Sequence, residues 1–253
     1  MAAMDEFRAE REAVKHGPLK ERLAYFWDYH KWHVIIIAAV VILLIYSIYT
    51  TVTKPETLLS GMILNTHNQE AYQAGQDITT DFLKGQNIDT KKNTIDLNTS
   101  LSYSTDSKDA ASSNYTTLQV ITAQASAGVL DFVLADLDTM TDLAYRNMFA
   151  DLTTVLTEEQ MTKYAPYFLY IDRDIFLQRD KAFEETGDSS SIVLSVCETP
   201  DGMKDPIPVF LDISQCKEMT SLYPETPEKL VISVTQNTEH QEMMNQFLDY
   251  LME

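Results

Sequence analysis

Polar and apolar positions divide this chain into three stretches with sharp borders. Up to His33 charged and apolar residues are mixed, from Val34 to Val52 the chain carries no charge, Gly or Pro, and from Thr57 short apolar runs alternate with polar ones. The nineteen residues of Val34–Val52 would make a helix of about 28 Å, close to the ~30 Å hydrocarbon core of a bilayer. No water is present in that core to satisfy backbone amides, so a continuous helix is the solution for a single segment. A buried core helix is the weaker reading, because core helices seldom run this long without one strongly polar side chain. A cleaved signal peptide is the stronger rival. Its apolar core is shorter, however, and "YSIYTTVTKPE" offers no small-residue cleavage pattern. The run is therefore expected to stay attached as a signal anchor.

The flanks set the expected orientation. Lys15, Lys20, Arg22 and Lys31 lie within twenty residues before the run and only Lys54 within twenty after it. The positive-inside rule then puts the N-terminus in the cytoplasm and the C-terminal bulk outside. Trp27, Tyr29 and Trp32 in "YFWDYHKWH" suit the aromatic belt at headgroup depth, or the packed face of a partner protein. The expected organisation is a cytoplasmic tail with a juxtamembrane helix over 1–33, a transmembrane helix over 34–52, a linker over 53–56 and an extracytoplasmic domain over 57–253. Within the tail, two short helices should break at "HGP", with Pro18 opening the second.

Beyond the linker the periodicity changes. "LLSGMILN" reads as a buried strand. Ala71, Gly75, Ile78 and Phe82 fall at helical spacing, with Gly85 placed as a C-terminal cap. In "TIDLNTSLSYS" apolar and polar positions alternate as in a half-buried strand. A helix is expected over 114–127, closed by Gly128, and "GVLDFVLAD" is apolar enough for a strand covered on both faces of a parallel sheet. Met140, Leu143, Ala144 and Met148 form a helical stripe, with Asp138 or Thr139 as the helix cap. "SIVLSVC", "PIPVFLDIS" and "LVISV" read as strands. A last helix buries Met244, Phe247, Leu248 and Leu251, with Thr238 and Gln241 placed as a capping box. Strands alternating with helices predict an α/β domain of packed layers.

Charge sharpens the picture. Residues 1–33 hold six basic and six acidic residues, so the whole net charge of −19 belongs to the remainder. Such a domain should be repelled by nucleic acid and by anionic lipid. Cys197 and Cys216 are the two cysteines, and both fall in the part expected outside. An oxidising compartment permits a disulfide between them, while buried free thiols at strand ends are the other reading.

Two stretches resemble the lobes of type 2 periplasmic binding proteins, the solute receptors of ABC importers. One is "AGVLDFVLADLDTMTDLAYRNMFADLTTVL" and the other "KLVISVTQNTEHQEMMNQFLDYL"; "DPIPVFLDISQCKEM" is similar to the family's return strand. "KERLAYFWDYHKWHVI" resembles single-pass envelope proteins of Gram-positive anaerobes that carry such a domain outside. The resemblance implies an extracytoplasmic, solute-binding-like α/β fold in reduced form. Such receptors have two lobes and are longer, so the second lobe is expected to be abbreviated. No Trp follows Trp32, which argues against stacking of sugar rings.

No catalytic signature is present. The chain has no Gly-x-Ser-x-Gly, phosphate loop or Gly-x-Gly-x-x-Gly. His67 and His240 lack partners at metal-ligand spacing, and Asp136, Asp138 and Asp142 lack the Gly and Glu of a calcium loop. No metal or cofactor is expected. Open α/β sheets place ligands beyond the carboxyl ends of their strands, which selects Asn65, Thr66, His67, Asp136 and Asp138; the alternative is that these residues only form turns and caps. The expectation is a non-enzymatic, membrane-anchored, solute-binding-like or accessory protein of the cell envelope. Its partners would be the lipid bilayer, other membrane or envelope proteins and, undecided, a small molecule. A structural or signalling partner working through the aromatic juxtamembrane helix is the alternative, and an envelope hydrolase the third reading.

Overall fold

The computed structural model describes residues 18–66, 69–104, 111–144, 146–189, 191–193 and 195–253. It divides into a helical unit that ends at Lys54 and a second unit, Pro55–Glu253.

The first unit is one uninterrupted helix, α1 (Leu19–Thr53), with Pro18 as its N-cap residue. The juxtamembrane segment and the apolar run are thus continuous, where the sequence suggested a separate short helix opened by Pro18. Helix-forming residues on both sides of His33 and the absence of Gly or Pro leave nothing to break it. Within it Lys31–Thr53 is long and apolar enough to cross a membrane and buries none of its surface in the protein. Trp27 and Trp32 are exposed on this helix. The Tyr29 side chain lies outside the described residues, as does the expected first tail helix.

The second unit is built on a single mixed sheet of six strands. In chain order they are β1 (Glu56–Ile63), β2 (Asn93–Asn98), β3 (Phe132–Asp136), β4 (Phe168–Asp172), β5 (Pro206–Asp212) and β6 (Leu230–Val234). Their spatial order is β2-β1-β3-β6-β5-β4. β1 runs parallel to β2 and β3, and β6, β5 and β4 continue antiparallel to their neighbours. The α/β layering expected from the alternation is present. The sheet is mixed rather than parallel, and the described residues form one sheet rather than two lobes.

Helices cover both faces, and the two-residue period of the strands assigns each side chain to one of them. On one face Leu59, Ile63, Ile95, Leu97, Phe132, Leu134, Ile232 and Val234 meet α2 (Gln69–Gly85) and α9 (Gln241–Leu251). The short helices α5 (Leu152–Val155), α6 (Glu158–Lys163) and α8 (Lys217–Thr220) add Leu152, Val155, Met161 and Met219 to that layer. On the other face Met62, Val133, Ala135, Val209 and Val231 meet α3 (Ala111–Ser126) and α4 (Leu137–Ala144). α7 (Arg173–Thr186) follows β4 and lends Ile175 to the same side. The α9 stripe of Met244, Phe247, Leu248 and Leu251 is buried as its spacing predicts, each side chain contributing about 1.5–3 kcal/mol. Gly61 has a reason of its own: a Cβ there would stand 2.1 Å from the Phe132 ring, which needs that space to reach Phe247.

Local devices differ from expectation at several points. Gly128 closes α3 with φ 68, as its position implied, whereas after α2 the left-handed residue is Asn87 and not Gly85. Thr238 is not half of a capping box. Its hydroxyl accepts from His240 N and donates to Asp131 Oδ1, while His240 stands at the N-cap of α9. Among the described residues of "SIVLSVC" no strand forms, and Cys197 makes an isolated bridge with Tyr170 on the outer edge of β4. Cys197 and Cys216 are free thiols, not a disulfide. Cys197 is held at that sheet edge by its backbone bonds to Tyr170, and Cys216 sits at the N-cap of α8 in the core beneath the sheet.

Candidate functional site

The parallel strands β2, β1 and β3 place the switch point of the sheet between β1 and β3, where connections leave in opposite directions. Four of the five residues selected from sequence lie at the carboxyl ends of these two strands; His67 falls outside the described residues. Asn65 adopts φ 66, a left-handed conformation that Asn tolerates better than most residues. That turn aims its amide at β3. Asn65 Nδ2 donates to Asp136 Oδ2 and to Thr139 Oγ1, both at 3.1 Å, and Asn65 Oδ1 accepts from Tyr103 N at 2.8 Å. Asp136 Oδ1 accepts from Thr139 N at 2.9 Å, so Asp136, not Asp138 or Thr139, caps α4. Thr66 is fully buried and donates to Thr99 O at 2.9 Å, tying β1 to the end of β2.

The network extends outward. The Tyr103 hydroxyl donates to Asp142 Oδ2, and burial, helped by that carboxylate, pushes its phenol up to about 12. Tyr223 is buried close enough to feel the Asp136 charge, and its hydroxyl has no hydrogen-bond partner among the described residues; burial raises its phenol far above the ordinary value. Asp138 is not part of this clasp. With Asp136, Leu137, Glu228 and Lys229 it lines a recess of about 220 Å³, where Lys229 is paired with Glu198. The structure thus brings Asn65 and Asp136 together and engages both in turn and cap bonds. Asp136 and Asp138 also border that recess, so these strand ends combine turn and cap bonds with an open hollow.

A larger opening lies elsewhere, on the antiparallel half of the sheet. Beneath α7 a cleft of about 380 Å³ has Ile171, Ile207, Val209 and Phe149 as apolar floor and Phe176 and Leu177 overhead. Its polar rim is Asn147, Asp151, Thr154, Arg173, Asp180 and Gln236. Three local features shape it. Asn147, at φ 52, turns the chain after α4 so that Phe149 bridges Thr235 beside β6. Asp172 caps α7, its carboxylate accepting from Asp174 N and Lys204 N at 3.0 Å and from Asp205 N at 3.1 Å. Those donors, Lys204 N foremost, hold its carboxyl below the usual range. At the far end Gly187, at φ 72, closes the helix.

Charges in the cleft are unevenly engaged. Arg173 meets Asp151 at 2.9 Å and Asp205 at 3.7 Å. Gln236 Nε2 donates to Asn147 Oδ1 and Phe149 O, both at 3.1 Å. Asp180 makes no hydrogen bond or ion pair among the described residues. A sizeable, mostly apolar hollow with a few converging polar groups is the usual form of a small-molecule site.

No family model matches this chain, and no curated protein matches it. A solved chain described as the substrate binding domain of a molybdenum ABC transporter from Clostridium difficile aligns with 77% of this chain and 92% of that one, at 8% identity and a TM-score of 0.32. A likeness that loose carries no argument. The fold rests on its own sheet, and the function on its own surfaces.

Sequence reasoning missed the cleft because it is assembled from 144–154, β4, α7, β5 and Gln236, none bearing a recognisable motif. One signal was available: "FLYIDRDIFLQRDKAF" is a strand running into an amphipathic helix, with Asp172 and Asp174 at the junction. No group of three or more His, Cys, Asp or Glu residues able to hold a metal ion occurs among the described residues.

Proposed function

We propose that this chain is a membrane-anchored, non-catalytic binding domain of the cell envelope, with its N-terminus in the cytoplasm and its α/β domain outside. The observation that carries the reading is Lys31–Thr53, 23 residues of helix long and apolar enough to cross a membrane, with none of its apolar stretch buried in the protein, placed directly before an acidic α/β domain in the sequence. A soluble protein would leave such a helix exposed to water at a cost of about 25 cal/mol per Å² of apolar surface. The bilayer removes that cost. The cleft beneath α7 supports binding.

The test is topological. Intact cells expressing the chain with a C-terminal epitope are treated with protease, and membranes are extracted at alkaline pH. Loss of the epitope from intact cells and retention of the chain in the alkaline pellet support the reading. A protected epitope, or release into the alkaline supernatant, overturns it.

The exposed Trp27 and Trp32 on α1 favour a second reading, in which the juxtamembrane helix and span dock another membrane protein. Replacing residues 20–52 with an unrelated anchor should then abolish co-purification of partners.

A further inference from the structure

We infer that the cleft beneath α7 binds an organic ammonium: a primary amine carried on an apolar body. The inference rests on the reading of the outer domain as a binding domain. Four observations carry it.

First, the floor and roof are apolar and include two aromatic rings, Phe149 and Phe176, which suit a hydrocarbon body and offer π faces to a cation. Second, the charged donor at the rim is offset and the Gln236 donors are used. The Arg173 charge is offset by Asp151 and Asp205, and the Gln236 amide hydrogens go to Asn147 Oδ1 and Phe149 O. Third, acceptors are left over. Asp180 lines the cleft with a carboxylate that bonds to nothing among the described residues, and the Gln236 amide oxygen accepts no hydrogen bond there. Asp151 is occupied, its Oδ1 accepting from Thr153 and its Oδ2 from Arg173. With Arg173 compensated, the rim is negative and rich in acceptors. A group with three donors and a positive charge satisfies it, whereas a carboxylate would meet Asp180 unpaired.

Fourth, the arrangement disfavours an inorganic cation. A hard metal ion takes six or more oxygen ligands, and the described residues gather no trio of acidic or imidazole side chains that could begin such a shell. The apolar floor is also the wrong lining for a hydrated ion. Asp180 borders a second cavity as well, where Asp142, Arg146 and Arg179 line the wall beside Phe183, Ile192 and Val193.

The test uses the full-length chain in nanodiscs, titrated calorimetrically with three probes of one shape: 2-phenylethylamine, 2-phenylethanol and 3-phenylpropionate, against empty nanodiscs. The amine should bind at least tenfold more tightly than the alcohol, and the carboxylate should give no heat. Asp180→Asn should bring the amine down to the level of the alcohol while leaving the thermal midpoint unchanged. Tighter binding of phenylpropionate would overturn the amine assignment and transfer recognition to Arg173. No binding by any probe, or an amine affinity unchanged in Asp180→Asn, would also overturn it. Neither result touches the membrane topology, which protease shaving decides separately.

Discussion

The two recesses of the outer domain, the crevice between β1 and β3 and the cleft beneath α7, draw on the same residue types and differ in how their polar atoms are partnered. In the crevice Asn65, Asp136, Thr139 and the Tyr103 amide satisfy one another. In the cleft Asp180 and the Gln236 amide oxygen are left facing an apolar floor. The crevice has the location that open α/β sheets usually give to ligands, yet its groups hold the protein together. The cleft has no such topological claim, but its unengaged acceptors have nothing inside the chain to bind.

The most severe break of this contrast is Asn65→Ala. It removes both bonds donated to β3 and the one accepted from Tyr103 N, and it puts Ala at φ 66. Bonds to a charged acceptor contribute about 1.5–3 kcal/mol and the left-handed backbone costs Ala about 1 kcal/mol more. A loss of about 3 kcal/mol is expected in denaturant unfolding followed by circular dichroism. Asn65→Gly keeps the backbone comfortable and should recover about 1 kcal/mol of it, isolating the side-chain share. A wild-type midpoint for Asn65→Ala would mean that the crevice is not a clasp and is free for a ligand.

On the cleft side the structural residue is Asp172, which fastens the start of α7. Asp172→Ala leaves the Asp174, Lys204 and Asp205 amides without their acceptor and should cost about 2 kcal/mol at neutral pH. The folded carboxyl lies below its unfolded value of about 3.9. Its stabilisation is therefore complete above roughly pH 4 and fades as the pH falls through the folded value. Wild type and variant should converge in acid and separate again on neutralisation. A pH-independent difference would assign the loss to packing of α7 instead.

A smaller effect is expected from Tyr103→Phe, about 1 kcal/mol for the bond to Asp142. Here the sign reverses. The folded phenol is raised to about 12 against an unfolded value near 10, so its contribution is full below about pH 10 and disappears as the pH climbs to about 12. Alkaline unfolding curves of wild type and variant should meet within that window.

Five of the six strands were legible in the sequence and the edge strand β4 was not. β1 and β3 announce themselves as runs such as "LLSGMI" and "FVLA", because both faces of each are covered and nearly every position must be apolar. β4 is an edge strand of five residues, and "FLYID" is too short to show a period. "SIVLSVC" has the composition of a strand, but its described residues make one bridge to the outer edge of β4, since propensity does not supply a partner. The pairing of Asn65 with Asp136 was half visible. The rule for strand ends named both residues, but it took the two strands side by side to show that they bind each other. The cleft depends on Asp151, Arg173, Asp180 and Gln236 meeting from four separate segments, which no local pattern records.

The smallest change in stability should come from Asp180→Asn, and its smallness is informative. Asp180 is exposed on α7, away from the Asp172 cap and from the Arg173 pairs. Surface substitutions of this kind usually stay within about 0.5 kcal/mol. The exchange removes a charge from mid-helix at nearly constant size, so neither packing nor capping is disturbed. If thermal unfolding nonetheless shows a clear loss, Asp180 serves the fold as Asn65 does, and the cleft joins the crevice as a structural recess. If Asp180→Asn leaves the fold untouched while Asn65→Ala breaks it, the two recesses divide the work between them: one secures the strands, the other offers an unoccupied carboxylate to a ligand.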